Sequence, residues 1–166
     1  MAAAALACVA LAACGAGDGM DLSERERAAS YWMENNGRRA EIVTLDSGLQ
    51  YRVLREGAAD APSPDSNDLV RVNYEGSLID GTVFDSSYVR GTPYVTTPEQ
   101  VVPGWTEALQ RMKVGDEWLL YVPPSLGYGA RGAPPDIPPH AILVFRIELL
   151  DIAPAAGGSR VDSARG

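Results

Sequence analysis

Apolar and polar side chains alternate along several short segments of this sequence, and this period-two pattern indicates half-buried β-strands. It is clearest in AILVFRIELLDI, where one face would carry Leu143, Phe145, Ile147 and Leu149. The segments GLQYRV and DLVRVNYEG repeat the alternation, DEWLLYV is strongly strand-like, and Asp80-Gly81 marks a tight hairpin turn. Strands of this kind, joined by short turns, predict an antiparallel sheet.

Two segments depart from this pattern and predict helices. In VVPGWTEALQRMKVGDEW, Pro103 fits the entrance of a helix whose apolar stripe would be Trp105, Ala108, Leu109 and Met112. Near the N-terminus, Ser23 and Glu26 have capping-box spacing, and a helix is predicted from Glu24 to Asn36. These elements predict an α+β fold, with antiparallel strands, one packed helix and a short N-terminal helix.

The segment LGYGARGAPPDIPPH contains a literal GxGxxG at Gly127, Gly129 and Gly132, the pattern of many dinucleotide-binding loops. A phosphate-binding loop of this kind must open a helix, because the helix N-terminus holds the anion. Four prolines follow within six residues and forbid a helix, namely Pro134, Pro135, Pro138 and Pro139. The glycines therefore do not predict a nucleotide site.

Composition argues against several other kinds of chemistry. With 14 Lys plus Arg against 22 Asp plus Glu, the net charge of −8 disfavours nucleic-acid binding. The body of the chain has one histidine, His140, and no cysteine, so it predicts neither a metal site nor a catalytic triad. The carboxylates of Asp80 and Asp85 lie in turn-like stretches where aspartate is common. We predict no cofactor and interpret His140 as structural.

The first residues resemble a bacterial secretion signal of the lipoprotein type. An apolar run from Ala2 to Ala13 is too short to span a bilayer, and it leads into LAAC at residues 11–14. Residues 1–13 are therefore interpreted as a signal peptide and Cys14 as the lipid attachment site. This predicts a protein held at a membrane of the cell envelope, facing the periplasm or the exterior. Because no Lys or Arg precedes the run, an unprocessed apolar N-terminus with two incidental cysteines remains an alternative.

Beyond this leader, composition divides the chain into three parts. Residues 14–41 are predicted to be a linker that contains the short helix, and residues 42–153 are predicted to be the folded domain. Residues 154–166 are rich in Gly, Ala and Ser and are predicted to be a disordered tail.

Four motifs stand in the order and spacing of the FKBP-type peptidyl-prolyl cis/trans isomerases, namely VNYEGSLIDGTVFDSS, VVPGWTEALQRMKVGDEW, LGYGARGAPPDIPPHAILVF and ELL. The resemblance covers roughly residues 48 to 152, and the lead-in SGLQYRVLREG is similar to the bacterial branch that includes macrophage infectivity potentiator proteins. It implies a curved antiparallel sheet wrapped around the helix near Trp105, with an apolar pocket between them. Since residues 14–41 leave room for one short helix, the long dimerisation arm of that branch is expected to be absent and the protein to be a monomer.

The resemblance also implies which residues form the site. Those with catalytic roles would be Tyr74, Phe84, Asp85, Tyr128 and Phe145. Those that bind substrate would be Tyr94, Val101, Val102, Trp105 and Ile137. In this family the tryptophan lies under a proline ring, the tyrosine of YG and one backbone amide donate to substrate carbonyls, and the aspartate of FDSS is held by a tyrosine. Taken singly these side chains suit an ordinary core or turn, and only their joint placement favours a site.

The implied function is cis/trans isomerisation of Xaa-Pro bonds, which would assist the folding of exported proteins. Partners would be proline-containing polypeptides, macrolide immunosuppressants and the membrane that holds the lipid. The alternative is a chaperone or interaction module that keeps the pocket with little turnover. Three positions depart from the family pattern: Tyr94 replaces a more usual phenylalanine, and Ala133 and Asp136 replace larger or apolar side chains on the loop over the pocket. Asp136 is predicted to disfavour peptides with acidic residues near the proline.

Overall fold

Seven strands and three α-helices make up the computed structural model, which describes residues 20–155. The helices are α1 (Leu22–Gly37), α2 (Ser87–Arg90) and α3 (Pro103–Arg111). The strands are β1 (Val43–Thr44), β2 (Gln50–Arg55), β3 (Leu69–Leu78), β4 (Val83–Ser86), β5 (Tyr94–Thr96), β6 (Glu117–Val122) and β7 (Leu143–Ala153). Short 3₁₀ turns at Pro98–Gln100 and Pro124–Leu126 complete the described part of the chain. The predicted signal peptide, Cys14 and residues 156–166 of the predicted tail lie outside the described residues.

All strand pairs are antiparallel, in the order β1-β2-β6-β7-β3-β4, with β5 also paired to β3. The long strands β3 and β7 lie side by side, with Tyr74 opposite Ile147 and Gly76 opposite Phe145. The predicted alternation of β7 is confirmed, because its four apolar positions are buried on one face. The predicted hairpin turn also forms, and Gly81 adopts a left-handed φ of 90° within it.

Helix α3 packs its predicted apolar stripe against this sheet. Trp105, Ala108 and Leu109 are buried, as is Met112, which caps the helix. They join the inward side chains of β3, β6 and β7 in the main hydrophobic core. Pro103 is the first helical residue, where its missing N–H has no intrahelical partner to lose. The α+β architecture predicted from the sequence is therefore confirmed.

Helix α1 is also confirmed, but its N-cap is Asp21 rather than the predicted Ser23. The Asp21 carboxylate accepts a hydrogen bond from the Glu24 amide at 2.8 Å, and the Glu24 carboxylate accepts one from the Asp21 amide at 3.2 Å. The Ser23 hydroxyl donates to the Asp21 carboxylate at 2.7 Å instead of capping the helix itself. A carboxylate N-cap suits the positive end of the helix dipole, which explains the earlier start.

The second face of the sheet is covered by α1. Ala29 and Met33 of α1 pack with Ile42, Tyr121 and Ile142 in a smaller apolar cluster. Two hydrogen bonds also join α1 to β2. The buried side chain of Gln50 on β2 accepts one from the Asn36 side chain at 2.9 Å and donates one to the Met33 carbonyl at 2.8 Å. Within residues 20–155, none of the helices has the length and apolar character needed to cross a bilayer.

That glutamine, Gln50, marks a departure from the predicted alternation of β2. The pattern placed Leu49, Tyr51 and Val53 inside and the intervening residues outside. Leu49 is fully buried, but Gln50 is buried as well and Val53 is 38% exposed. The reason is that α1 covers Gln50 and satisfies its amide, whereas Val53 lies near the end of the strand.

Candidate functional site

A cavity of about 470 Å³ opens between α3 and the strands β3, β4, β5 and β7. Its lining consists of Tyr74, Phe84, Asp85, Tyr94, Gln100, Val101, Val102, Trp105, Tyr128 and Phe145. Nine of the ten predicted pocket residues are in this set. They come from six separate segments of the chain, so the fold brings together residues that are far apart in the sequence.

Aromatic rings form the floor and one wall of the cavity. The Trp105 indole is only 4% exposed and meets Phe145 edge to face, with ring centroids 5.2 Å apart and planes at 86°. It meets Tyr74 in the same way, at 5.1 Å and 84°, and Phe84 meets Phe145 at 5.6 Å and 89°. Edge-to-face contacts of this kind fix ring orientations. The result is a rigid apolar surface of a size that suits a small ring.

Gly76 allows two of these rings to approach the sheet. A Cβ atom at this position would lie 2.7 Å from ring atoms of both Phe84 and Phe145, closer than non-bonded carbons approach. Gly76 also pairs with Asp85 on β4 and with Phe145 on β7. The glycine therefore leaves room for the aromatic wall, a role that the strand pattern alone does not reveal.

A polar network also borders the cavity. The Tyr74 hydroxyl donates to the Asp85 carboxylate, as the family resemblance implies. Arg90 also donates to that carboxylate and, through its second terminal nitrogen, to the Tyr74 oxygen at 3.0 Å. Its guanidinium lies 5.4 Å from the centre of the Tyr74 ring. The carboxylate of Asp85 is thus engaged on both oxygens within the protein.

Arg90 was missed by the sequence analysis, although its neighbours carry a signal. The Ser86 hydroxyl accepts a hydrogen bond from the Val89 amide, and Gly91 follows Arg90 with a left-handed φ of 69°. This serine N-cap and glycine C-cap delimit the single turn of α2. One turn carries the chain back toward Asp85, which brings the arginine five residues later into contact with it.

The protonation state of Tyr74 follows from this environment. Burial, and then the hydrogen bond to the Asp85 carboxylate, raise the pKa of Tyr74 to about 12, while Arg90 opposes the shift. The phenol therefore stays neutral at physiological pH and keeps its proton for the hydrogen bond to Asp85. Since that carboxylate is already bound by a phenol and a guanidinium, the network presents a fixed dipole rather than a free base.

The titration of Tyr74 predicts a difference in stability at alkaline pH. Its ordinary pKa of 10.0 applies to the unfolded chain, and its pKa of about 12 applies to the folded protein. Between these values the folded state retains a proton that the unfolded state has lost, so the free energy of unfolding falls as pH rises. We expect chemical denaturation to show a steeper fall over this range for the wild type than for Tyr74→Phe. Parallel curves for the two proteins would contradict the assignment.

Two hydrogen-bond donors border the cavity without partners among the described residues. The Tyr128 side chain is 43% exposed, and its hydroxyl makes no hydrogen bond to residues 20–155. The Val102 amide, next to the start of α3, also donates to none of them, while its carbonyl accepts from Trp105 and Thr106. Both groups are available to a ligand.

Removing the Tyr128 hydroxyl tests whether it donates to a ligand. If it binds a substrate carbonyl in the transition state, Tyr128→Phe should lower kcat/KM of prolyl isomerisation about threefold to tenfold, the usual worth of one hydrogen bond. The melting temperature should not change, because the hydroxyl has no partner in the described chain. Tyr31→Phe, at a tyrosine that is 71% exposed on α1, is the matched control. Unchanged kinetics in Tyr128→Phe would exclude the donor role.

The loop that follows Tyr128 is shaped by the glycines of the GxGxxG pattern. Gly129 and Gly132 adopt left-handed φ angles of 60° and 64°, and a Cβ at Gly132 would lie 2.4 Å from the Ile137 carbonyl oxygen. Ala133 and Ile137 exchange two backbone hydrogen bonds, of 2.8 and 3.0 Å, that close the loop. No helix follows these glycines; they serve tight turns, as their proline-rich context indicates.

Ile137 is the one predicted pocket residue that does not line the cavity. It is 5% exposed and packs in the main core together with the aromatic floor. Gln100, which the sequence analysis did not single out, lines the cavity from the turn before α3. Among residues 20–155, no group of three or more His, Cys, Asp or Glu side chains is placed to hold a metal ion.

Comparison with known proteins gives a consistent set of relatives. Residues 61–150 match the model of a family described as FKBP-type peptidyl-prolyl cis-trans isomerase. The chain is 48% identical over 130 residues to the "Peptidyl-prolyl cis-trans isomerase Mip" of Coxiella burnetii, covering 78% of this chain and 54% of that one. It is 48% identical over 121 residues to the "FKBP-type 22 kDa peptidyl-prolyl cis-trans isomerase" of Escherichia coli, with coverages of 73% and 58%. It is also 41% identical to the "Outer membrane protein MIP" of Legionella longbeachae, over 80% of this chain and 56% of that protein.

Among solved structures, FkpA from Escherichia coli superimposes with a TM-score of 0.75 at 41% sequence identity. The match covers 82% of this chain and 62% of that chain. An isomerase structure from Pseudomonas syringae gives a TM-score of 0.76 at 34% identity, covering 83% of this chain and all of the other. The chain thus spans a little over half the length of the curated relatives named above.

Proposed function

This chain belongs to the FKBP-type peptidyl-prolyl cis-trans isomerase family, and we propose that it catalyses rotation about Xaa-Pro bonds in exported polypeptides. The main support for the proposal is the aromatic floor and wall of the cavity, where Trp105, Phe145 and Phe84 form a fixed apolar surface beside two donors that have no partner among the described residues. A proline ring is the substrate group that fits such a floor, and its flanking carbonyls are the acceptors that such donors need.

The chemistry requires no nucleophile. Rotation about the Xaa-Pro amide is slowed by a resonance barrier of roughly 18 to 20 kcal/mol, and no bond is made or broken. In the twisted transition state the carbonyl loses resonance and part of its polarity, so an apolar site disfavours it less than it disfavours the planar amide. A thousandfold acceleration needs only about 4 kcal/mol of differential binding.

Each part of the site has a role in this mechanism. The indole of Trp105 supports the proline ring, while Phe84 and Phe145 exclude water from it. The Tyr128 hydroxyl and the Val102 amide bind carbonyl oxygens of the substrate backbone and hold it in place while the amide twists. The Tyr74, Asp85 and Arg90 network faces the bound carbonyl as an oriented dipole that needs no proton transfer.

A protease-coupled assay with proline-containing peptides tests the proposal. The protein should accelerate isomerisation at catalytic concentrations, and an immunosuppressive macrolide of the kind that this family binds should abolish the acceleration. The alternative, a chaperone or interaction module with the same pocket, predicts macrolide binding without acceleration. The free donors and the complete aromatic floor favour catalysis over binding alone.

Asp136 is proposed to shape substrate preference. Its side chain is exposed on the loop that follows Tyr128, where it would repel an acidic residue beside the substrate proline. We expect Asp136→Asn to raise kcat/KM for a Glu-containing peptide about twofold to threefold relative to its Lys counterpart, and high salt to remove most of the difference. Asp46→Asn, at an exposed aspartate of the β1–β2 turn, is the control. A peptide ratio that is identical in wild type and Asp136→Asn would refute this role.

The location of the protein is part of the proposal. We propose that Cys14 carries a lipid, as the LAAC motif suggests, and that the lipid holds the domain at a membrane of the bacterial cell envelope. We also propose that the domain works there as a monomer. The name of the Legionella longbeachae relative, an outer membrane protein, supports an envelope location. Wild-type protein should fractionate with membranes and Cys14→Ser with the soluble fraction. A soluble wild type would exclude the anchor, and sedimentation of the Cys14→Ser protein would reveal any dimer.

A further inference from the structure

An apolar groove of about 400 Å³ lies on the side of the molecule where the described chain begins. It runs between α1, the β3–β4 turn and the segment that leads into β7, and we call it the N-terminal groove. Its lining includes the apolar and aromatic side chains of Met20, Tyr31, Trp32, Leu78 and Ile79. It shares no lining residue with the isomerase cavity.

Three large side chains of this groove are markedly exposed. Tyr31 is 71% exposed, and Met20 and Ile79 are each 49% exposed. Met20 lies at the start of the described chain, Tyr31 in the middle of α1 and Ile79 in the β3–β4 turn. Three segments of the chain therefore place apolar surface in one region. Isolated exposed apolar residues are ordinary, but a contiguous group that borders a groove indicates a contact surface.

The position of Cys14 indicates what this surface meets. Six residues lead from Cys14 to Met20, and a fully extended chain of that length spans at most about 20 Å. A domain of this size has a diameter of roughly 36 Å. If Cys14 is acylated, as proposed above, the region around Met20 is therefore held nearer to the lipid headgroups than the opposite side of the domain.

We infer that the N-terminal groove is the membrane-facing surface of the protein, with Met20, Tyr31 and Ile79 in contact with the headgroup region of the bilayer. Tyrosine and tryptophan are enriched at this depth because one end of each side chain is apolar and the other polar. Trp32 lines the same groove, and so do the charged residues Arg25 and Asp80. Three side chains alone would bind a bilayer weakly. The lipid anchor keeps them beside the bilayer, and the resulting high effective concentration favours their contact with the headgroups.

This orientation depends on the lipid anchor proposed above, and it adds to the proposed function the position of the isomerase cavity relative to the membrane. Leu78, at the groove, is four residues from Tyr74 along β3, which corresponds to about 13 Å in a strand. The isomerase cavity would therefore work close to the membrane surface without touching it. Exported chains would meet it while they are still near the bilayer.

Site-specific fluorescence tests the orientation. Lipidated full-length protein carrying Tyr31→Cys is labelled with an environment-sensitive nitrobenzoxadiazole dye and reconstituted in phosphatidylcholine–phosphatidylglycerol vesicles. Val89→Cys on α2, where the native side chain is 84% exposed and lines neither cavity, is the matched control. We expect headgroup-proximal spin-labelled lipid to quench the dye at position 31 at least threefold more strongly than the dye at position 89. Isomerase activity of both labelled proteins verifies that they are folded.

The possible outcomes separate the orientation from the anchor. Protein that floats with the vesicles but shows equal quenching at the two positions would overturn the orientation alone. Protein that does not float would overturn the anchor and the orientation together. Tyr31→Cys protein in which both native cysteines, Cys8 and Cys14, are replaced by Ser should report a water-like environment for the dye at position 31 in buffer. A shielded dye in that protein would show that a second copy or the chain's own N-terminus fills the groove, which would also overturn the proposal.

Discussion

Phe84→Ala is expected to lower kcat/KM of prolyl isomerisation about thirtyfold while the protein stays folded. The ring lines the cavity wall, packs against Phe145 and the main core, and is only half-buried, so part of its surface is open to a bound proline ring. A thirtyfold loss corresponds to about 2 kcal/mol of transition-state stabilisation, the amount expected from an aromatic side chain that excludes water from a proline ring.

Kinetics and thermal unfolding should be measured on the same preparation of this variant. Phe84→Leu is the graded comparison, because it keeps apolar volume but loses the flat ring, and it should retain intermediate activity. Val89→Ala, at an exposed apolar position of α2, should match the wild type. Near-normal turnover by a folded Phe84→Ala protein would show that the aromatic wall does not contribute to catalysis.

Trp105→Ala is expected to have the larger total effect, because it damages both the site and the core. The indole is 4% exposed and contacts Tyr74 and Phe145, so its removal leaves a large cavity and should cost about 3 to 5 kcal/mol of stability. The indole nitrogen has no hydrogen-bond partner in the described chain, so this cost comes from packing alone. Family resemblance by itself predicts lost activity with the fold largely retained, and the observed burial makes that retention less complete.

Two substitutions at this position separate the effects on the fold and on the site. Trp105→Phe keeps an aromatic floor of smaller volume and should recover most of the stability and part of the activity. Denaturant unfolding gives the loss in stability of each variant, and isomerisation rates are compared below the unfolding transition. A Trp105→Ala protein as stable and as active as the wild type would contradict both roles of the indole.

Local patterns in the sequence predicted the main strands of the sheet and the helix that packs on it. The alternation in β3 and β7 and the apolar stripe of α3 are direct consequences of burying one face of each element. The N-cap of α1 was misplaced because Asp21 and Ser23 both have side chains that cap helices, and only the folded geometry shows that the carboxylate does so. Gln50 was misjudged because its burial depends on α1, which lies in another part of the sequence.

The site was predicted by resemblance to a family rather than by local pattern. Phe84, Trp105 and Phe145 each have the sequence context of an ordinary core residue, and only the fold brings them around one cavity. Arg90 and Gln100 were missed because their contribution comes from where one short turn directs them. Residues whose role depends on a long-range contact leave little signal in the neighbouring sequence.

Exchange NMR on a proline-containing tetrapeptide most directly tests whether the aromatic cavity catalyses prolyl rotation. Without protein, the cis and trans forms interconvert over tens to hundreds of seconds and give no exchange signal. With a catalytic amount of wild-type protein, we predict exchange cross-peaks between the two forms, and we predict that they are strongly reduced with the Phe84→Ala variant. A folded wild-type protein that binds the peptide but leaves the interconversion rate unchanged would contradict catalysis of prolyl rotation by the aromatic cavity.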